Sequence, residues 1–550
     1  MSSAIRNSSA GPPQTIDIEK TAGAKTPLWP PFLISILCGV VMALPFRDYD
    51  GTLPAWIALA PMFRIVVYAS RRRRALICGA VFSMTWTFLS FNFLWRQTPF
   101  GTIAVSLFTT LVYTCALLCV RRFARRTLES SILRTVLGIA AIWSLVEIVR
   151  STLPILCFPW LLLGHTLLYS EHLRQGADLL GVYGLSFLIA AANAAFAFAI
   201  PNLRAAPSID RNNVRGAWAS VGLVAILTLA LFGYGAMRIA QLEPLLQRGR
   251  PIGIVQGNTV QKLGRSSEEL TAQLESHLAL HRKLVAESKA SANDTAGLIC
   301  WAETMVPGVI NEDGWAKIFK REIAAYGIPT LTGVNYQMER DPAFPDEVQY
   351  QNAGMLFDGK GNEVFHYCKR RLVPFGEYVP FNRWPGFSLL RSVTRDQYVP
   401  GTGASPVHKI GGYAIALNIC VEDIHPDLAR EAAGNGADTM INLTNDGWFY
   451  GTYGPRSHLQ AAAWRAIEVR RPLLRVTNTG KTVAVNPLGV ITEIIPEATE
   501  GSCLYGLERL TQPPKTLTMY LGELGEAAIF AAVLLGCIFM KSRNGGPKPQ

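Results

Sequence analysis

Cys420 has the setting of a reactive thiol. It closes the apolar run Tyr413-Ala-Ile-Ala-Leu-Asn-Ile and precedes Val421-Glu422-Asp423. A cysteine at the tip of a strand, before a tight turn, is exposed and rigidly held. To attack a carbonyl it needs a thiolate, a proton shuttle and a cation for the oxyanion. Cys300, Cys368 and Cys503 share its segment, whereas Cys38, Cys78, Cys115, Cys119 and Cys537 lie in apolar blocks, where a thiol is a small hydrophobe. His277 and His281, four apart, could hold a metal from one helix face. No His-Glu-x-x-His pattern or third ligand accompanies them, so a solvated amphipathic helix is expected there, with no metal. Neither a Gly-x-Ser-x-Gly elbow nor a phosphate-binding loop occurs in this region, and no cofactor is expected.

The elements that must position Cys420 lie in residues 239–518. Strands are expected at Pro251–Val255, Leu298–Trp301, Thr330–Val334, Gly354–Phe357, Tyr413–Ile419, Met440–Leu443 and Thr482–Val485. Ser266 and Glu269 have capping-box spacing and open a helix with Leu270, Leu274, Leu278 and Leu284 on one face. Alternating strand and helix over this length predicts an α/β domain with its own core.

The rest of the chain reads as membrane. Of 550 residues, 49% are hydrophobic and 17% charged, below the roughly 25% usual for soluble domains. Spans are expected near 28–46, 53–69, 75–95, 102–120, 131–149, 180–200, 216–237 and 520–540. This gives a disordered cytoplasmic tail at 1–27, too long and polar to begin a secretory signal, then a seven-helix membrane domain at 28–238. An eighth transmembrane helix follows at 519–541, then a short tail at 542–550. The loops on one side, among them Arg71 to Arg74 and the segment 121–130, hold seventeen Lys and Arg; the opposite short loops hold only Arg47, Arg96, Arg150 and Arg174. The positive-inside bias puts both termini in the cytoplasm and 239–518 outside, in the periplasm of a bacterium. The net charge of +12 is therefore mostly topology, and without a binding motif it predicts no nucleic-acid partner. Glu147 and Arg150 read as an interfacial ion pair or a lipid or substrate contact, and Phe158-Pro159-Trp160 as an aromatic belt.

Three segments, in order, resemble the nitrilase or carbon–nitrogen hydrolase superfamily: Cys300-Trp-Ala-Glu-Thr304, Tyr367-Cys-Lys-Arg-Arg-Leu-Val-Pro-Phe-Gly-Glu-Tyr-Val-Pro380 and Asn418-Ile-Cys-Val-Glu-Asp423. Further runs resemble one branch, the apolipoprotein N-acyltransferases of bacterial membranes. These are Val255-Gln-Gly-Asn258, Leu443-Thr-Asn-Asp-Gly-Trp-Phe449, Arg465-Ala-Ile-Glu-Val-Arg-Arg-Pro472, Arg475-Val-Thr-Asn-Thr-Gly480 and Gly181-Val-Tyr-Gly-Leu-Ser-Phe-Leu188. The resemblance implies a multi-pass helical bundle carrying an αββα sandwich, placed in the inner membrane. It implies transfer of an acyl chain from a phospholipid, through a cysteine thioester, to the α-amino group of a diacylglyceryl-cysteine on an apolipoprotein. Cys420 would be the nucleophile, Glu303 the general base and Lys369 the oxyanion cation. Glu377 and Glu422 would orient Lys369 or the substrate amine.

The chain departs from that pattern at Ala302, where the family has Pro, at Val421, where the branch has Tyr, and in lacking a Trp after Asn258. The acceptor therefore stays open to a divergent paralogue with another amine. A membrane-tethered amidase would use the same three residues, and a non-catalytic assembly factor could keep the fold. The apolar run Asn382-Arg-Trp-Pro-Gly-Phe-Ser-Leu-Leu390 is expected either to dip into the outer leaflet at Trp384 and Phe387 or to be covered by the domain.

Overall fold

A computed structural model describes residues 29–47, 50–153, 157–200, 211–262, 264–290, 295–311, 314–339, 348–378 and 398–539. Both tails and the run 382–390 lie outside the described residues. Among those described, seven helices are long and apolar enough to cross a bilayer: Trp29–Phe46, Arg72–Leu94, Pro99–Thr127, Ile132–Thr152, Leu173–Ala199, Val214–Leu245 and Leu517–Phe539. The segment expected as a second span is a pair of short helices, α2 (Leu53–Ile57) and α3 (Leu59–Tyr68), between α1 (Trp29–Ala43) and α4 (Arg72–Phe91). Its sequence explains the break. Pro61 has no N–H for the carbonyl of Ile57. The Asn193 amide enters the helical ladder, donating to Ala55 O at 2.8 Å and accepting from the backbone of Leu59 and Ala60 at 2.9 and 3.0 Å.

The bundle continues with α5 (Pro99–Thr127), α6 (Ile132–Thr152), α7 (Ala177–Ala199) and α8 (Arg211–Leu242). Helix α5 is longer than the expected span 102–120, so Arg121, Arg122, Arg125 and Arg126 lie on a helix rather than in a loop. Arg121 and Arg125 cap the end of α3, donating to the carbonyls of Val66, Val67 and Ala69.

The extramembrane domain is a four-layer sandwich. Strands β1 (Leu246–Arg248), β2 (Ile252–Gln256), β3 (Leu298–Trp301), β4 (Thr330–Gln337), β5 (Tyr350–Phe357) and β6 (Glu363–Cys368) come first. They are followed by β7 (Val407–Ile410), β8 (Tyr413–Ile419), β9 (Thr439–Thr444), β10 (Leu473–Thr477), β11 (Thr482–Val485), β12 (Ile491–Ile495), β13 (Gly501–Tyr505) and β14 (Glu508–Leu510). One sheet runs β13-β2-β3-β4-β5-β6 and the other β12-β11-β10-β9-β8-β7. Their inner faces meet through apolar side chains; a Cβ on Gly354 would touch Leu417 and Leu443 of the facing sheet. Helices α9 (Ser267–Ala290) and α10 (Gly314–Tyr326) cover the first sheet; α11 (Pro426–Gly434), α12 (Gly454–Ala462) and α13 (Trp464–Val469) cover the second. The chain then returns to the bundle as α14 (Leu517–Phe539).

The capping box is present: Glu269 N donates to Ser266 Oγ and Ser266 N to the Glu269 carboxylate. The two histidines of α9 are not solvated. His277 and His281 are fully buried beside Leu274 and Leu278 and pack against Trp301, one ring tilted and the other edge-on. Burial takes both imidazoles down to about 4, so they are neutral packing groups.

Buried polar contacts fasten the sandwich to the bundle. Arg470 pairs with Asp178 at 2.7 Å and donates to Gln175, while Arg174 and Gln175 donate to Leu488 O. Glu147 and Arg150 do not face lipid and do not pair with each other. Glu147 accepts from Trp143 and the Leu163 backbone, both at 2.9 Å, and Arg150 donates to the carbonyls of Phe158 and Trp160 at 2.8 and 2.6 Å. Both hold the loop after α6 in place. Trp160, expected in a belt, is 2% exposed, because that loop tucks it beneath the sandwich.

Candidate active site

Glu303, Lys369 and Cys420 each follow the carboxyl end of a strand. Glu303 lies just after β3, Lys369 directly after β6 and Cys420 directly after β8. Strands β3 and β4 are parallel, and β5 is antiparallel to both β4 and β6, so β3 and β6 point the same way. The first two side chains therefore emerge at one end of one sheet, facing the tip of β8 in the other.

Tight backbone geometry supports each position. Gly333 on β4 passes so close to the Glu303 segment that an added Cβ would stand 2.4 Å from Thr304 N and 2.5 Å from Glu303 Cα. Thr304 and Cys420 adopt left-handed φ values of 53° and 52°. For non-glycine residues that conformation costs on the order of 1–2 kcal/mol.

The polar contacts form one cluster. Lys369 Nζ donates to Glu377 Oε1 at 2.8 Å and lies 3.4 Å from Glu303 Oε1. The Asn352 amide on β5 bridges both acids, donating to Glu303 at 2.7 Å and Glu377 at 3.3 Å. Val373 N holds the other oxygen of Glu377 at 2.8 Å. Lys369 is 1% exposed, Glu303 6% and Cys420 9%.

Burial raises the carboxyl of Glu303, opposed by Lys369 and reinforced by Glu377. Burial would lower Lys369, but Glu377, the Cys420 thiol and Glu303 hold it well above its ordinary value, so it is a permanent cation. Burial and the nearby Glu303 raise Cys420 well above an ordinary thiol, opposed by Lys369. At rest Cys420 is thus a neutral thiol, in a buried pocket it shares with Glu303 and Lys369.

Glu422 lies between the loop after Lys369 and the turn of Cys420. It is fully buried and accepts four hydrogen bonds: from Tyr367 Oη at 2.9 Å and the backbone of Arg370, Arg371 and Ile419 at 2.7, 3.0 and 2.8 Å. It ties the loop after Lys369 to the turn of Cys420 and orients both through their backbone.

Four further groups have no role assigned from the sequence, although Asp423, Asp446 and Arg475 fall in runs that carry the resemblance. His458 bridges Asp446 and Asp423 through its two nitrogens, each at 2.9 Å, and Arg475 pairs with Asp423 at 2.9 Å. All four are buried, and Trp160 packs on the His458 ring at 5.3 Å. Burial would lower His458, but the two aspartates raise it, so two cations face two carboxylates directly beneath the cysteine turn. Asn442 also supports that turn, donating to Cys420 O at 2.8 Å. Asn352 does have a signal, an amide within an apolar strand, but β5 begins four residues before the strand expected at Gly354. Among the described residues, no cluster of three or more His, Cys, Asp and Glu is arranged to hold a metal ion.

Comparison with known proteins decides the family. Residues 38–195 match the apolipoprotein N-acyltransferase N-terminal domain and residues 252–510 the carbon–nitrogen hydrolase domain. An apolipoprotein N-acyltransferase from Pseudomonas putida is 32% identical over 94% of this chain and 98% of its own length. The chain belongs to the apolipoprotein N-acyltransferase family. A member from Azotobacter vinelandii is 30% identical over 94% of this chain and 96% of its own length. An amidase of solved structure from Nesterenkonia sp. is 20% identical, covering 50% of this chain and 94% of its own, at a TM-score of 0.34. Family membership accounts for both halves of the architecture, the helical bundle and the hydrolase-type sandwich.

Proposed function

We propose that this chain moves an acyl chain from a phospholipid to the α-amino group of a diacylglyceryl-cysteine at the start of an apolipoprotein, by way of a thioester on Cys420. The observation that carries this reading is the buried Glu303–Lys369 pair beside the strand-end cysteine. Glu303 takes the thiol proton, and the thiolate attacks the ester carbonyl. The tetrahedral oxyanion forms against the Lys369 ammonium. As the C–O bond breaks, the departing lysophospholipid oxygen takes the proton from Glu303, leaving the thioester. In the second half the acceptor amine attacks the thioester and loses its proton to Glu303. The C–S bond then breaks, and the proton returns to sulfur.

Storing the acyl group on sulfur suits two bulky lipid substrates that need not be bound together. A thioester also acylates an amine far faster than a phospholipid ester does. The helices fit substrates whose chains stay in lipid. The arginines that cap α3 lie at the end of the bundle away from the sandwich, while Arg47, Phe93 and Phe100 at the opposite helix ends touch Tyr453, Phe449 and Phe375 of the sandwich. With the positive-inside bias, this supports eight passes with the short α2–α3 pair as the second, and a sandwich on the periplasmic side of the inner membrane.

Single-turnover assays in phospholipid nanodiscs test the proposal. The wild type should form acyl-Cys420, and a diacylated lipopeptide should discharge it and become triacylated. Discharge by water alone, with the peptide unchanged, would contradict acyl transfer and favour a hydrolase.

A further inference from the structure

A cavity of about 500 Å³ opens where the bundle meets the sandwich. Its walls include Arg47, which follows α1, Phe88, Trp95 and Arg96 at the end of α4, and Tyr453 of the sandwich. The Arg47 guanidinium lies 4.6 Å over the Tyr453 ring, which fixes it in place. Arg96 flanks the loop at Gly451, where an added Cβ would stand 3.6 Å from its Nη1. Among the described residues neither arginine has a carboxylate partner. Two guanidinium groups lining one hollow suit an anion, and their fork matches phosphate oxygens.

The other wall says what carries that anion. Phe88, on the membrane helix α4, and Trp95, just beyond its end, meet edge to face at 6.2 Å and are 38% and 46% exposed. A free phosphate would have no use for this apolar side. A phospholipid fits both parts, with its phosphate between the arginines at headgroup depth and a chain running along Phe88.

We infer that Arg47 and Arg96 form a phosphate clamp for the headgroup of a glycerophospholipid; as a donor site, the clamp rests on the acyl-transfer reading. The hollow also reaches the catalytic turn through packed rings. Phe93 contacts Trp160 at 5.7 Å, Trp160 contacts His458 at 5.3 Å, and His458 holds Asp423, three residues from Cys420.

The test uses full-length protein carrying Cys420→Ala, titrated with a dialkyl-ether phosphatidylethanolamine that has no ester to transfer, and retained lipid read by native mass spectrometry. Arg47→Gln with Arg96→Gln should weaken retention by about tenfold or more. The double lysine replacement, which keeps both charges, should recover part of it. The single Arg96→Gln, at an exposed position, should weaken retention without moving the thermal midpoint. Unchanged retention in the double glutamine variant would overturn the clamp. So would a dialkylglycerol without phosphate binding equally well, or inorganic phosphate binding as tightly as the lipid. Acyl-enzyme formation by the wild type is read separately: intact retention with no acyl-Cys420 would sink the acyl-transfer reading and leave the clamp standing.

Discussion

Lys369 sits closer to Glu377, at 2.8 Å, than to Glu303, at 3.4 Å. Glu377 thus takes up much of the ammonium's charge. If Lys369 were given over to Glu303 alone, it would pull that carboxyl toward a strong acid and a poor base. The more distant contact keeps Glu303 basic while Lys369 still faces the cysteine.

Glu377→Gln should therefore shift Lys369 toward Glu303 and lower the carboxyl of Glu303. The acid limb of the acylation rate should move to lower pH, and the rate on the plateau should fall by about 10- to 100-fold. A pH profile of single-turnover acylation checks both effects. A slower variant whose acid limb stays in place would show that Glu377 merely packs.

The wild-type acid limb has a defined sign. In the proposed mechanism Glu303 must be ionised to accept the thiol proton, and burial raises its carboxyl above the ordinary 4.5. Acylation should accordingly fall on acidification before ordinary carboxylates are protonated. Glu303→Gln should abolish the limb and cost about 100-fold or more in rate.

The network beneath the turn predicts a pH-dependent stability. His458 is raised above 6.5 by its aspartates, so its stabilisation is fully present below 6.5 and is lost as pH rises through the raised value. Asp446 is held below 3.8; burial would raise it, but His458 and Arg475 outweigh that, so its contribution is present above 3.8 and lost as pH falls through the lowered value. At pH 6, His458→Asn should cost about 3–5 kcal/mol, because two buried carboxylates are left with one cation. The gap between variant and wild type should narrow in alkaline buffer. Unfolding midpoints in detergent across pH measure it, and a gap independent of pH would contradict the assignment of charge.

Gly333→Ala should damage the site from the strand beside it. The new methyl group meets backbone rather than a flexible side chain, so relief requires moving the Glu303 segment. The expected cost is about 1–3 kcal/mol in stability, with a disproportionate loss of acylation rate. Equal activity at normal stability would show that the strands have room to separate.

Cys420 is legible in the sequence from the apolar run that closes at Ile419, whereas Glu303 and Lys369 are marked there by the family resemblance of their segments. The supports are not. Asp423 and His458 are 35 residues apart and meet only when the turn after β8 packs on α12. Trp160 and the histidines of α9 resemble surface groups in the sequence because their covers come from distant segments. The break between α2 and α3 is half legible: the prolines flag it, but the Asn193 amide that stabilises it is supplied from α7.

Intact mass spectrometry of the wild type and Cys420→Ala in phospholipid tests the central claim most directly. The account predicts one acyl adduct on the wild type, none on the variant, and its removal when a diacylated lipopeptide is added and becomes triacylated. A folded wild-type protein that acquires no adduct, or an adduct that survives Cys420→Ala, would contradict it.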